Sequence, residues 1–279
     1  MFYNIHIKRG DFMKELIDDL FSDKKVVVIT GAGISTASGI PDFRSEDGLY
    51  NNPNEEFYKK YPYLRNYPIE FMLSNRCLQL YPEAFYDFYK INKVLSDDVK
   101  PNINHEVLAE LEKSGYISGI ITQNIDNLHQ EAGSQNVITI HGTNDFYCTD
   151  CKTDYSKEHY LNKGYKCTCE GCTGVIRPAI VLYGEGYNRD DYKRCFDLMR
   201  DADVVIAAGT SLTVSTVTRF IDLFIHGDDP DKHLYILNNQ PTRYDTYSYG
   251  QRYNIDLPEA FETLRNELKA RKDKVLIKK

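Results

Sequence analysis

Short apolar runs, each closed by a small or polar residue, recur along the chain and alternate with helical patterns. Runs rich in Val and Ile predict strands of a parallel sheet, which are buried on both faces. Five such runs lie at 24–33, 117–124, 136–142, 203–211 and 233–239. Apolar positions at helical spacing precede three of them, at 13–22, 105–114 and 190–200. The alternation predicts an α/β fold with a doubly wound, mostly parallel, Rossmann-like sheet.

The residues that close these runs, where each predicted strand ends, are the first candidates for function. In open parallel sheets, ligands bind outside the carboxyl ends of the strands. The residues at those positions are Gly31, Gln123, His141, Gly209 and Asn238. The predicted ligand edge therefore combines small residues, which let a ligand approach the backbone, with side chains that hydrogen-bond.

Two segments interrupt the alternation. Residues 45–94 are dense in Tyr, Phe, Asn and Pro, and residues 143–183 hold five of the seven cysteines. We expect them to form a smaller lobe, in which a helical insertion lies beside a metal-binding module. The Rossmann-like domain then comprises residues 13–44, 95–142 and 184–270, and residues 1–12 form an N-terminal extension.

Composition excludes several classes of protein. No apolar stretch among the 279 residues approaches the roughly 18 residues of a membrane-spanning helix, and the N-terminus lacks the pattern of a signal peptide. The 34 basic and 41 acidic residues give a net charge of −7, which disfavours nonspecific binding to nucleic acid. We therefore expect a cytoplasmic protein with no membrane or nucleic-acid partner.

The cysteine spacing predicts a zinc site. Cys148 and Cys151 form one pair with two intervening residues, and Cys169 and Cys172 form a second. Four thiolates close a tetrahedral coordination sphere, so this zinc would be structural. Cys167 stays open as an alternative, because it also forms a permissible pair with Cys172.

A glycine-rich turn follows the first predicted strand. Gly31, Ala32 and Gly33 leave room for the backbone to approach a pyrophosphate at the start of a helix. Position 36 is Thr, where the G-x-G-x-x-G pattern of dinucleotide-binding proteins has its third glycine. A strand-to-helix turn that needs small residues is therefore the alternative interpretation.

Polar residues at the other strand ends suit the same ligand. Gly209, Thr210 and Ser211 follow the fourth run and Asn238 follows the fifth, where they suit phosphate and ribose groups. Closure of a loop would also select these residue types, so that interpretation stays open.

Asn124, Asp126 and His141 are the candidates for catalysis. Asn124 and Asp126 lie two residues apart after the second run, so both can project into one cleft. The alternative is that they cap the following helix. His141 ends the third run, where a neutral imidazole can act as a general base near pH 7, or can be a hydrogen-bonded residue without a role. We expect His129 to be structural, and His105 has no sequence companion that suggests a role.

The run GAGISTASGIPDFR, from Gly31 to Arg44, resembles the signature of the sirtuins, which are NAD-dependent protein deacylases. The resemblance covers roughly residues 13–265. Further sirtuin motifs follow in order, namely TQNIDNLH (122–129), HG (141–142), the cysteine module, RP (177–178), YGE (183–185), GTSL (209–212) and Asn238.

The resemblance implies a reaction and a set of residues. NAD would be a co-substrate, and acyl-lysine side chains of proteins would be deacylated with release of nicotinamide and O-acyl-ADP-ribose. His141 would accept a proton from a ribose hydroxyl, with Asn124 and Asp126 beside the nicotinamide and its ribose. The NAD-binding residues would be Gly31, Ala32, Gly33, Ile40, Asp42, Phe43, Arg44, Gln123, Asn124, Asp126, Gly209, Thr210, Ser211 and Asn238.

The resemblance also bears on the substrate and the metal. The substrate peptide would add as a strand to the segment of Val181, Leu182, Tyr183, Gly184 and Glu185. The sirtuin spacing between the second cysteine pair and the Arg-Pro motif favours Cys169 over Cys167 as the fourth zinc ligand.

The resemblance also indicates which acyl group the protein removes from lysine. Sirtuins that remove succinyl or malonyl groups carry a Tyr-x-x-Arg pair. Tyr89 matches the tyrosine, but Asn92 stands in place of the arginine. We therefore expect removal of acetyl groups. The alternative function is mono-ADP-ribosyl transfer or NAD hydrolysis in the same cleft, which need not use His141.

Overall fold

A six-stranded parallel sheet and a three-stranded antiparallel sheet form the framework of the molecule. The structure is a computed structural model that describes residues 12–41, 55–91, 99–226, 229, 231–246 and 250–277. The strands are β1 (Val26–Thr30), β2 (Gly119–Thr122), β3 (Val137–Thr139), β4 (Gly142–Cys148), β5 (Asp154–Tyr155), β6 (Ile176–Ile180), β7 (Val204–Ala208), β8 (His233–Leu237) and β9 (Gly250–Tyr253). The large sheet has the order β3-β2-β1-β7-β8-β9, and the small sheet has the order β5-β4-β6.

Helices connect the strands. They are α1 (Lys14–Leu20), α2 (Glu55–Lys60), α3 (Ile69–Met72), α4 (Asn75–Leu80), α5 (Pro82–Ile91), α6 (Ile103–Lys113), α7 (Leu128–Glu131), α8 (Lys157–Lys163), α9 (Arg189–Asp201), α10 (Ser215–Ile225) and α11 (Leu257–Ile277). Short 3₁₀ helices occupy Ala32–Ile34, Thr36–Ser38 and Pro62–Leu64. Among the described residues, no helix has both the length and the apolar character that crossing a bilayer requires.

The strands of the large sheet are apolar throughout because helices cover both of its faces. Val26 and Val28 of β1 pack into a core with α1, α6 and α11. Val27 and Ile29 point the other way, into a core with α9 and α10. Alternate residues of one strand therefore serve two cores, as expected for a doubly wound sheet.

The strand order reverses between β1 and β7, and the turns that follow these two strands touch. The Gly33 amide donates to the Gly209 carbonyl over 2.9 Å. A Cβ atom on Gly33 would lie 2.8 Å from Gly209 Cα, and Gly209 has a φ of +62°. Only glycine meets both conditions, so these residues allow the two halves of the sheet to close at the point where such sheets bind ligands.

The helical insertion and the cysteine module share a third core. Phe85, Phe88 and Tyr89 of α5 pack in one cluster with Phe146 of β4 and Tyr160 of α8. The smaller lobe therefore contains both interrupting segments, and the small antiparallel sheet belongs to the cysteine module.

The sequence predicted five strands of the large sheet, whereas the described part of the chain forms six. The missed strand, β9, has the sequence Gly-Gln-Arg-Tyr and pairs only with β8 at the edge of the sheet. A strand at the edge of a sheet does not need an apolar run, so the sequence of β9 did not indicate a strand. The α6 helix begins at Ile103, with Asn102 as its cap, two residues before the predicted start.

Two buried histidines connect α6 and α7 beneath the ligand edge of the sheet. The rings of His105 and His129 meet edge to face with their centroids 4.8 Å apart. His129 Nε2 lies 2.9 Å from Thr30 Oγ1 at the end of β1. Burial lowers the pKa of His105 to about 4. Burial and the neighbouring His105 lower the pKa of His129 to about 3.

These depressed pKa values predict a loss of stability in mild acid. An unfolded histidine titrates near pH 6.5, so between about pH 6.5 and pH 4 the unfolded chain binds protons that the folded chain excludes. The stability that the neutral pair contributes is complete above that range and falls as the pH drops through it. Urea unfolding between about pH 7.5 and pH 5 should show this decline.

The matched variant is His129→Gln, whose amide can bond Thr30 but cannot be protonated. The pH slope of its unfolding free energy should be shallower by about 1.4 kcal/mol per pH unit for the one histidine removed. Equal slopes in the two proteins would contradict this assignment of acid sensitivity.

Candidate active site

The carboxyl ends of β1, β2 and β7 converge on one cleft. Gln123, directly after β2, donates from Nε2 to Thr210 Oγ1 over 2.8 Å, which joins the ends of β2 and β7 across β1. The same nitrogen lies 3.3 Å from the Thr30 carbonyl at the end of β1. Two of the predicted NAD-binding residues, Gln123 and Thr210, are therefore in contact at the end of β1.

A carboxylate surrounded by donors lies in this cleft. Asp126 Oδ2 accepts from Ser35 Oγ over 2.7 Å and from Asn124 Nδ2 over 3.3 Å. Asp126 Oδ1 accepts from the Leu128 amide over 3.0 Å. Asn124 Nδ2 also lies 3.0 Å from Ser35 Oγ. Asn124 and Asp126 thus bond each other and Ser35, and Asp126 in addition bonds the first amide of α7, as the capping interpretation also expects.

His105 belongs to this network, and the sequence analysis missed it. The Asn102 amide lies 3.3 Å from His105 Nδ1, and a backbone amide can only donate, so Nδ1 is the unprotonated nitrogen. Nε2 then carries the proton and faces Ser35 Oγ at 3.3 Å, which leaves the serine proton for Asp126. A directed chain of hydrogen bonds therefore runs from the α6 cap to the carboxylate.

The cap of α6 also fixes the glycine-rich turn. Asn102 Nδ2 and Asn104 Nδ2 both donate to the Ile34 carbonyl over 3.0 Å. Asn102 Nδ2 also donates to Ser38 Oγ over 2.8 Å. The only sequence signal for these contacts is the polar Asn-x-Asn-His run at the start of a helix.

His141 is held by one ring nitrogen. Its Nδ1 lies 3.1 Å from the Gln123 carbonyl, which can only accept, so Nδ1 carries the proton and Nε2 keeps a lone pair. Burial lowers the pKa of His141, and the Gln123 carbonyl opposes that effect only in part. The imidazole is therefore neutral near pH 7. The ring of Tyr187 lies 5.9 Å from it.

The remaining predicted NAD contacts fall into three groups. Gly31, Ala32, Gly33 and Ile40 lie on the turn after β1, and Gly209, Thr210 and Ser211 lie on the turn after β7. Asn238 follows β8 and donates to the Gln240 carbonyl over 2.9 Å. Asp42, Phe43 and Arg44 lie outside the described residues. The described part offers glycine turns, amides and hydroxyls, which suits a ligand made of phosphates and ribose.

The five predicted substrate residues form a tight segment beside His141, and they differ in exposure. Tyr183 and Gly184 are exposed, whereas the Leu182 side chain is buried in the core of the small lobe. The Val181 amide donates to the His141 carbonyl over 2.8 Å. The Glu185 carboxylate bonds Arg177 and the Leu182 amide. Glu185 is thus engaged within the chain rather than aimed outward.

Four cysteines gather at one end of the small sheet. The Sγ atoms of Cys148, Cys151, Cys167 and Cys172 all lie within 4.8 Å of one another. Two of the Sγ–Sγ distances, 148 to 172 and 151 to 167, are 3.6 Å. Tetrahedral zinc with Zn–S bonds of about 2.3 Å needs sulfurs roughly 3.8 Å apart, so the group fits a structural zinc ion.

The geometry differs from the sequence-based choice of ligands in one residue. Cys169, preferred for its spacing, is outside the group, and its Sγ lies 3.4 Å from Thr153 Oγ1. Cys167 takes its place, with its sulfur 3.6 Å from that of Cys151 and 3.1 Å from the Tyr155 hydroxyl. Spacing alone does not reveal how the loop turns between the two residues.

Comparison with known proteins places most of the chain in one family. Residues 31–216 match the Sir2 family. An NAD-dependent protein deacetylase of Staphylococcus epidermidis is 41% identical over 240 residues, covering 86% of this chain and 91% of the relative.

Solved structures give the same result for the fold. A Sir2 protein with a p53 peptide and NAD+ has a TM-score of 0.75 at 34% identity, covering 91% of this chain and 98% of the other. A Sir2 protein bound to an acetylated peptide has a TM-score of 0.74 at 32% identity, with the same coverage. On the evidence of its sequence, its fold and its cysteine cluster, this chain belongs to the Sir2 family.

Proposed function

We propose that this chain removes acetyl groups from lysine side chains of proteins and consumes NAD in the process, releasing nicotinamide and O-acetyl-ADP-ribose. Membership of the Sir2 family and relatives that are NAD-dependent protein deacetylases support this class of activity. The observation that carries the proposal within this chain is His141, a half-buried neutral imidazole with a free lone pair on Nε2 at the ligand edge of the sheet.

The roles of the side chains follow from their hydrogen bonds. Bound NAD supplies the reactive ribose and the nicotinamide leaving group. His141 Nε2 accepts the proton of a ribose hydroxyl, while the Gln123 carbonyl holds the ring orientation. Asp126, fixed by Ser35 and Asn124, stabilises positive charge on the sugar next to the departing nicotinamide.

The partners and the location extend the proposal. Acyl-lysine peptides are the substrates, and the solved relative that binds an acetylated peptide supports this. A cytoplasmic location is supported by seven free cysteines, the state that a reducing compartment maintains. The negative net charge favours neither nucleic acid nor anionic membranes as partners.

Replacement of His141 tests the reaction. The His141→Ala variant should lose deacetylation of an acetyl-lysine peptide by a factor of about 100 or more, the range of a general base. Mass spectrometry should detect deacetylated peptide and O-acetyl-ADP-ribose in equal amounts from the unchanged chain. His226→Ala, which changes an exposed histidine, is the control and should behave like the unchanged chain. ADP-ribose or a mass-shifted protein that persists in His141→Ala without deacetylation would instead support NAD hydrolysis or ADP-ribosyl transfer.

The acyl preference gives a second test. The Tyr89 hydroxyl bonds Asn144 inside the small lobe, and Lys90 Nζ donates to the Leu161 carbonyl over 2.9 Å. Asn92 lies outside the described residues. Because neither Tyr89 nor Lys90 is free to pair with a distal carboxylate, succinyl-lysine should react with a kcat/KM about 100-fold lower than acetyl-lysine in the same peptide. A propionyl peptide is the neutral control, and comparable succinyl and acetyl rates would refute the preference.

The zinc ligands give a third test. The geometry favours Cys167 with Cys148, Cys151 and Cys172 as the zinc ligands. Cys167→Ser should therefore lose the metal and destabilise the small lobe, whereas Cys169→Ser should keep about one zinc per chain. Elemental analysis of the purified variants measures both. Metal loss from Cys169→Ser with retention in Cys167→Ser would restore the ligand set that the spacing favoured.

A further inference from the structure

Arg177 is a buried cation in β6, on the side of the small lobe that faces the substrate segment. Its side chain is 7% exposed. Nη1 donates to Glu185 Oε1 over 2.5 Å, and Nη2 donates to Glu185 Oε2 over 3.0 Å. The remaining donors reach the carbonyls of Pro178 and Ile180 over 3.0 and 2.6 Å. The guanidinium therefore makes a two-pronged ion pair and also binds its own strand.

Glu185 closes the turn that Arg177 anchors. Its Oε2 accepts from the Leu182 amide over 2.9 Å, and its own amide donates to the Leu182 carbonyl over 2.9 Å. Burial raises the pKa of this carboxyl, but Arg177 and the Leu182 amide outweigh burial and hold the pKa below its usual value. Glu185 is therefore ionised, and residues 182–185 form a turn locked by side chain and backbone together.

This turn connects three parts of the molecule. Upstream, the Val181 amide donates to the carbonyl of the proposed base, His141. Within the turn, Tyr183 pairs with the helical insertion, since its amide donates to Leu73 and its carbonyl accepts from Asn75. Downstream, Glu185 is held to β6 of the cysteine module by Arg177.

The cysteine module is connected to the same anchor. Arg177 lies opposite Tyr147 in the pairing of β4 with β6, one position from Cys148 opposite Ile176. The Arg177 guanidinium also lies 5.8 Å from the centre of the Tyr147 ring. The anchor of the substrate segment is thus one register position away from a zinc ligand.

We propose that Arg177 and Glu185 are positioning residues for the acyl-peptide, whose ion pair fixes residues 181–185 in the shape that receives the substrate strand. This inference rests on the proposed function, because it assigns the segment to peptide binding. It accounts for an acidic residue in the substrate segment whose carboxylate does not face outward. It also connects the cysteine module to the substrate segment, because Arg177 belongs to β6 and pairs with Glu185.

Single and double substitutions of this buried ion pair distinguish an effect on peptide positioning from an effect on the stability of the fold. Removal of one partner leaves the other charge buried without compensation, which destabilises the fold. Removal of both charges avoids that cost, and replacement by uncharged groups of similar size is often close to neutral. Arg177→Met should therefore unfold at a lower temperature, and the double variant Arg177→Met, Glu185→Gln should recover much of that loss.

We expect the double variant to regain thermal stability without regaining affinity for the peptide. Both Arg177→Met and the double variant should raise the KM for an acetyl-lysine peptide about tenfold, while kcat and the KM for NAD change little. Arg177→Lys keeps the charge but loses the two-pronged geometry, so its peptide KM should be intermediate. Arg265→Met is the control, because Arg265 lies on α11 and pairs with Glu106 and Glu110 of α6 rather than with the substrate segment. It should lower stability and leave the peptide KM unchanged.

The outcomes separate the two proposals. An unchanged chain that neither deacetylates nor binds an acetyl-lysine peptide would overturn the proposed function and this inference with it. With an active unchanged chain, a double variant that regains both stability and the original peptide KM would overturn the positioning role alone. The positioning role is also overturned if Arg177→Met lowers kcat and raises the KM for NAD as much as the KM for the peptide. That pattern reflects general damage to the fold. Zinc content, measured on each variant, should stay at about one ion per chain.

Discussion

The contact on which the rest of the structure depends is the approach of two glycine turns at the middle of the large sheet. Gly33 and Gly209 lie so close that a single added methyl group would overlap the opposing backbone. Because this contact is possible, β1 and β7 stay adjacent up to their carboxyl ends, and the reversal of strand order leaves a crevice there. Gln123 is tied to the second of these turns through Thr210, and Asn124 and Asp126 are tied to the first through Ser35.

Burial has different consequences for His105, His129 and His141. It lowers the pKa of His105, His129 and His141 alike. His105 uses both ring nitrogens within the fold, and His129 packs in the core beside Thr30. Only His141 combines a fixed ring with a nitrogen that keeps a lone pair at the ligand edge of the sheet. The three histidines therefore differ in their hydrogen-bond partners and in their location, since burial lowers the pKa of each of them.

The sequence predicted what local pattern determines. Strands buried on both faces are recognisable as apolar runs, and the polar residues after them were found because parallel strands end at one edge. β9 was missed because an edge strand needs little apolar character. His105 was missed because its partner Ser35 is 70 residues away, so the contact exists only after folding. The choice between Cys167 and Cys169 depends on a loop conformation that ligand spacing does not determine.

The two sheets meet next to His141. β3 ends at Thr139 and β4 begins at Gly142, so the chain passes from the parallel sheet to the antiparallel one within two residues of the imidazole. Gly142 has a φ of +82°, and a Cβ there would lie 2.1 Å from the Ala179 carbonyl, so this crossing is tightly packed. Any side chain larger than that of glycine at position 142 would push β4 away from β6 and shift the imidazole of the residue before it.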